Sequence, residues 1–359
     1  MKEWKKYKLG EILTVKYGKD HKKLEDGPIP VYGSGGLMRF VNSYICDSPS
    51  ILIPRKGSLN NVMYVEHPFW TVDTMFWTII DTTVAVPRFV YYAIFKIDFE
   101  SLNVGSAVPS MTVPIIEDIE IHLPSLDEQK RIVKVLSSLE SKIELNRQIN
   151  DNLEQQAEAL YKSWFVDFEP FKDQEFVESE FGLIPEGWQC TTLSELLCIK
   201  YGKDHKKLAE GTIPVYGSGG LMRYVDTKLH EGEAVLIPRK GTLNNVMYVN
   251  EAFWTVDTMF YSIPKQENSC IYTYLFLANK DLASMNAGSA VPSMTTDILN
   301  NMLIIAPPAE VLRQFNNICN VYFSRINQNN IENANLSNQR DTLLPKLMSG
   351  ELKINEIDC

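Results

Sequence analysis

The chain has 359 residues, 45% hydrophobic and 22% charged, with a formal net charge of −10. That length suits two or three domains, and that balance fits a globular chain rather than a disordered one. No apolar run approaches the roughly 18 residues of a membrane span, MKEWKKYKLG opens no secretory signal, and the acidic total argues against a generic nucleic-acid coat.

In chain order, residues 1–124 read as a mixed α/β domain. Short β-rich runs (SILIP, NVMYV, FWTVDTMFWTII) alternate with Gly, Pro and Asn turn signals, and RFVYYAIFKI follows as a helix. Beyond LPSLDEQ, residues 125–167 form a long amphipathic segment. Ile132, Leu136, Leu139, Ile143, Asn146, Asn150, Leu153, Ala157, Leu160 and Trp164 are spaced alternately by four and three. Sustained over more than four heptads, this predicts a coiled-coil helix with two asparagines on its seam, residues that set register at some cost in stability.

Residues 168–184 form an acidic linker, the charge run extending from Asp167 to Glu186 with only Lys172 to oppose it. A second domain (185–307) and a second helix (308–350) follow, with a tail at 351–359. The second seam reads Phe315, Cys319, Tyr322, Ile326, Asn329, Asn333, Leu336, Arg340, Leu343 and Leu347. Its asparagines fall on the same seam positions as those of the first.

The second half repeats the first. Lys16–Thr78 matches Lys200–Ser262 without a gap, Trp4 matches Trp188, and GSAVPSMT at Gly105–Thr112 returns at Gly288–Thr295. Asn42–Ser50 has diverged to Asp226–Ala234, a piece expected to face solvent away from any shared ligand. A period of this length is a duplicated domain-plus-helix and not a solenoid. The fold class is therefore α+β: two similar mixed α/β domains joined by a long two-helix coiled coil. The seam is compatible with parallel and antiparallel pairing. Duplication with a domain at the start of each helix favours the antiparallel, pseudo-twofold form.

No motif for catalysis stands out. GSGG at Gly33–Gly36 is neither GxGxxG nor a P-loop, and is better explained as a turn bringing backbone close to a ligand. The ExK triplets at Glu128–Lys130 and Glu351–Lys353 read as solvated helix faces rather than nuclease motifs. The histidines lack metal-ligand spacing. Cys46, Cys190, Cys198, Cys270, Cys319 and Cys359 contain no CxxC pair and read as reduced cytoplasmic thiols.

The repeated loops suit DNA. Lys19, His21, Lys22, Lys23, Ser34, Arg39, Arg55, Lys56, Asn60 and Asn61 recur as Lys203, His205, Lys206, Lys207, Ser218, Arg223, Arg239, Lys240, Asn244 and Asn245. Arg and Lys suit guanine edges, Asn suits adenine edges, and Lys, Ser and backbone N–H groups suit phosphates. Two such readers held by one rod favour a DNA-binding chain; the rival reading is a scaffold whose duplicated domains bind protein, and a stand-alone nuclease is a distant third.

LPSLDEQKRI, WFVDFEPF, IPEGW and LLPKLMSGEL, in this order along nearly the whole chain, closely resemble the DNA-specificity (S) subunit of type I restriction–modification enzymes. The resemblance implies two target-recognition domains on an antiparallel helix pair. It also implies a non-catalytic chain binding double-stranded DNA, with two methyltransferase subunits using S-adenosylmethionine and translocase–endonuclease subunits using ATP and magnesium. Those partners would supply the adenine methylation and the cleavage. One departure is APPAEVLRQF at the second helix, which lacks the acidic-Gln pair of DEQ. Near-copy domains imply a bipartite target with halves close to inverted repeats.

Overall fold

The structure is a computed structural model, and it describes residues 4–105, 107–285 and 292–354. Parts of the GSAVPSMT repeat and of the tail, with Cys359, lie outside the described residues. Two compact units emerge: residues 1–145 with 332–359, and residues 146–331. They do not follow the domain-then-helix division expected from the sequence. Each unit takes one domain, half of the first long helix and half of the second.

In the first unit, β1 (Lys5–Lys8), α1 (Leu9–Ile12) and β2 (Leu13–Tyr17) lead to the hairpin β3 (Ile29–Gly33) and β4 (Gly36–Val41). β5 (Ser50–Pro54), β6 (Met63–Val65), β7 (Trp70–Thr71) and β8 (Met75–Ile80) follow. Next come α2 (Pro87–Ile94), α3 (Val113–Glu117), β9 (Glu120–Leu123) and the long α4 (Leu126–Phe165). The strands form a four-stranded sheet β2-β8-β5-β6, a three-stranded sheet β4-β3-β7 and the pair β1-β9.

The linker is not an open acidic connection. Phe168 adopts a left-handed φ of 51° just after α4, which a helix cannot continue through. The chain then pairs β10 (Phe176–Ser179) with β11 (Gly182–Pro185), with Gly182 at φ 86° closing the turn. Phe168 and Phe171 lie edge-on to Trp188, at 5.5 and 5.0 Å between ring centres. Aromatic packing thus overrides the charge run in setting this segment's structure.

The second unit repeats the elements: β12 (Gln189–Thr192), α5 (Leu193–Leu196), β13 (Leu197–Tyr201), β14 (Ile213–Gly217), β15 (Gly220–Val225) and β16 (His230–Pro238). Then come β17 (Met247–Thr255), β18 (Met259–Pro264), α6 (Cys270–Ala278), α7 (Thr296–Asn300), β19 (Leu303–Ala306) and α8 (Ala309–Met348). Its main sheet is a single six-stranded one, β13-β18-β16-β17-β14-β15. β17 covers the positions of both β6 and β7, where Ala252 stands in the place of Pro68. Proline donates no ladder hydrogen bond and interrupts a strand interior, so Pro68 breaks in the first domain the strand that runs unbroken as β17 in the second. The diverged segment is the strand opposite. His230–Glu233 pair with Asn250–Phe253, whereas Pro49 replaces Glu233 in the first copy.

The long helices pair antiparallel. In the first unit, Ile132 and Leu136 near the start of α4 share a core with Leu344 and Leu347 near the end of α8, beside Leu9, Phe89 and Val90. In the second, Ala157, Tyr161 and Phe165 late in α4 share a core with Leu312, Phe315 and Cys319 early in α8. A parallel pair would join the two starts. The predicted seam is the buried face: Ile143, Asn146, Asn150, Ile326 and Asn329 are buried, and Leu139, Leu153, Leu160, Trp164, Tyr322, Asn333, Leu336, Arg340 and Leu343 are half-buried.

Gln129 is not part of a solvated triplet. It is fully buried, accepts from Val86 N–H at 2.8 Å, and donates to the carbonyls of Val84 and Pro124 at 3.3 and 3.0 Å. It fastens α4 to the start of α2. The second copy puts the buried Leu312 at this position, so the departure in APPAEVLRQF exchanges a polar clamp for an apolar one inside the unit's core.

Candidate nucleic-acid interface

In the first domain, three segments surround an open cleft of about 620 Å³: Asp20–Lys22, the tip of the β3–β4 hairpin with Met38, and Val72–Thr74. Backbone fixes them. Lys19 N–H donates to the Thr71 carbonyl at 2.8 Å, and the Trp70 indole donates to the Lys19 carbonyl at 2.9 Å. Gly18 is required, because a Cβ there would lie 2.0 Å from the Val72 carbonyl oxygen. The second domain reproduces each contact: Lys203 to Thr255 at 2.8 Å, Trp254 to Lys203 at 2.9 Å, and Gly202 against Val256.

Asp20 accepts from Lys22 N–H at 3.0 Å, as Asp204 does from Lys206. That backbone hydrogen bond holds both carboxyls below the usual carboxylate range. The turn leaves Lys19, Lys22 and Lys23 exposed, as it does Lys203, Lys206 and Lys207. Lys56 and Lys240 are exposed on the neighbouring loop. None of these lysines is ion-paired among the described residues. In a chain of net charge −10, they are a local reversal of sign able to meet phosphates.

Other predicted residues have work inside their own domain. Arg39 pairs with Asp26 at 2.8 Å and donates to the Leu24 carbonyl at 3.1 Å; Arg223 donates to the Leu208 carbonyl at 2.6 Å. Both tie the hairpin to the basic turn. Asn61 and Asn245 donate to the carbonyls of Ser34 and Ser218 at 2.9 Å, latching the hairpin tip. Asn60 donates to Asp98 and accepts from Glu100 N–H; Asn244 does the same with Asp281 and Ala283. The structure thus turns all four asparagine side chains toward protein.

Arg55 donates to the Asp73 carbonyl at 3.2 Å and lies over Tyr17, 5.4 Å from the ring centre. Arg239 repeats this on Asp257 and Tyr201 with the same distances. His21 and His205 each keep a buried Nδ1 without a hydrogen-bond partner. Sequence reasoning, which followed charge, missed Tyr17 and Tyr201, and also the exposed Leu37, Met38, Leu221 and Met222 of the hairpins. Their signal was available: apolar residues copied identically beside glycine turns, in strands too short to bury both faces.

The fold and the matching basic turns of its two halves define a protein of duplicated domains carried on paired long helices. The family model of the type I restriction modification DNA specificity domain matches residues 1–155 and again residues 185–338, and the chain belongs to that family. The type I restriction enzyme MjaIX specificity subunit of Methanocaldococcus jannaschii is 27% identical over 341 residues, covering 86% of this chain and 78% of that protein. The HindI specificity subunit of Haemophilus influenzae is 25% identical over 381 residues, covering 79% and 81%. The crystal structure of the type I restriction–modification S subunit from M. genitalium shares the fold, with a TM-score of 0.67 at 18% identity and 96% of each chain covered.

Proposed function

We propose that this chain is the DNA-recognition subunit of a type I restriction–modification complex, with each domain reading one half of a bipartite target. The observation that carries the reading is the recurrence of one basic turn, contact for contact, in two domains that each match the DNA specificity family. Lys19, Lys22, Lys23 and Lys56 with their second-domain copies hold phosphates, and Arg55 and Arg239 lie at the margin where base edges pass. The chain performs no chemistry itself. Two methyltransferase subunits carrying S-adenosylmethionine dock on the helices, and translocase–endonuclease subunits carrying ATP and magnesium complete the complex in the cytoplasm.

Near-identical readers on antiparallel helices support half-sites of closely similar sequence in inverted orientation. Genome-wide mapping of methylated adenines in the host tests this. The expected motif has two halves that are near reverse complements across an unread gap, and unrelated halves would overturn the symmetric-target reading.

A further inference from the structure

We infer that Met38 and Met222, each set in place by a β-bulge and a facing glycine, read thymine through its methyl group, one methionine in each half-site. The inference rests on the DNA-reading function proposed above and adds apolar base contact to it.

In an ordinary hairpin, residues alternate between faces. Here the register slips: Val31 faces Arg39 but Tyr32 faces Leu37, which leaves Met38 as the extra residue. The second domain carries the same bulge, with Val215 facing Arg223 and Tyr216 facing Leu221. Bulges re-aim side chains and are concentrated beside functional sites. Two successive apolar residues consequently point outward, Leu37 at 54% and Met38 at 55% exposure, matched by Leu221 at 52% and Met222 at 56%. Neither methionine belongs to a buried core cluster.

The glycines complete the device. A Cβ at Gly33 would lie 2.6 Å from the Met38 sulfur, and one at Gly217 would lie 2.5 Å from that of Met222. The thioether therefore lies flat over a bare stretch of backbone, packed along one side and open along the other. In the first domain Met38 lines the cleft with His21 and Lys22. An exposed apolar surface among cations fits a ligand that is anionic along its backbone and apolar at one point within its groove. Double-stranded DNA has that pattern, and the thymine C5-methyl is the apolar point of its major groove. A side chain laid along the cleft wall suits contact with a methyl group better than insertion between base pairs.

The test uses the chain assembled with its host methyltransferase subunits, and duplexes carrying the methylation-mapped target. Each thymine is replaced in turn by deoxyuridine, which removes only the methyl. The native complex should lose roughly fourfold in affinity at one thymine per half-site, the factor of one buried methyl group. Met38→Ala should abolish that preference in one half-site and Met222→Ala in the other, with affinity for scrambled duplex unchanged. Gly33→Ala, which displaces the sulfur while leaving Met38 present, should reproduce Met38→Ala. The inference is overturned if native protein shows no thymine-over-uracil preference, or if the alanine variants retain it. A native complex that binds target and scrambled duplex equally would instead sink the DNA-reading function itself.

Discussion

Asn329 donates its side-chain amide to the Oδ1 of Asn150 at 2.8 Å, joining the two long helices through a buried polar contact. Asn150 passes its own amide to Asn330 at 2.9 Å. Replacing only Asn329 with Leu leaves Asn150 an unpaired acceptor in an apolar seam. The expected loss is about 1–3 kcal/mol. Replacing both Asn150 and Asn329 with Leu should recover most of it, since neither of the two positions then carries an orphaned polar group. Thermal or urea unfolding of the two single variants and the double variant checks this, and strict additivity would rule out the coupling.

Arg55→Ala combined with Arg239→Ala should weaken binding to target duplex about tenfold at moderate salt. Because the lysines hold the phosphates, the slope of log affinity against log salt should change little, the loss falling on target over scrambled duplex. The complex should still assemble, because both side chains stand on loops of the clefts. Titrations at several salt concentrations supply the measurement; an unchanged affinity at matched salt clears both arginines.

Pro68 and Ala252 predict opposite responses in the two domains. Ala252→Pro should split β17 and destabilise the second unit by about 1–3 kcal/mol. Pro68→Ala should be tolerated. Amide hydrogen exchange across Met247–Thr255 reads the first outcome directly, as loss of protection on either side of the new proline.

His230 lies between Phe253 and Tyr261, 5.6 and 5.9 Å from their ring centres. Desolvation by burial, aided by the charge of Lys200, lowers its pKa below the ordinary value of 6.5. A histidine kept neutral in the fold favours the folded state at pH above 6.5. That contribution declines as pH falls through 6.5 toward the lowered folded value, because the unfolded chain takes up the proton first. The second unit should therefore melt earlier at pH 5 than at pH 7.5, and His230→Gln should flatten this dependence. An equal pH response in that variant would assign the effect elsewhere.

The architecture was legible in the sequence because it is written twice. Elements recur at matched positions from β1 to α8, and the seam spacing from Ile132 to Trp164 survives as the buried face of α4. The seam alone left helix direction open, the duplication pointed to antiparallel pairing, and the packing of Leu344 with Leu136 and of Phe315 with Phe165 bears that out. The linker was read by its charge run, although Phe168, Phe171 and Phe176 decide its course. In the clefts, residue type was a partial guide. Lysines on turns are exposed as expected, but an asparagine four or five residues beyond a basic pair serves a loop as readily as a base. Asn61 and its Ser34 carbonyl lie 27 residues apart, beyond any local pattern. Met38 escaped because the search followed charge, and the bulge that turns it outward shows only in the strand register.

The first unit draws its core from two distant stretches of chain, Leu136 among them early and Leu344 late. At roughly 5–20 residues per second of synthesis, Leu136 waits on the order of 10–40 s for that partner. The second unit, built from residues 146–331 alone, has all its pieces first. Birth order and folding order are thus reversed: the domain made first is closed last. In the interval its half of the helix seam lies bare on the nascent chain, and this is the stage at which chaperones have the most to cover.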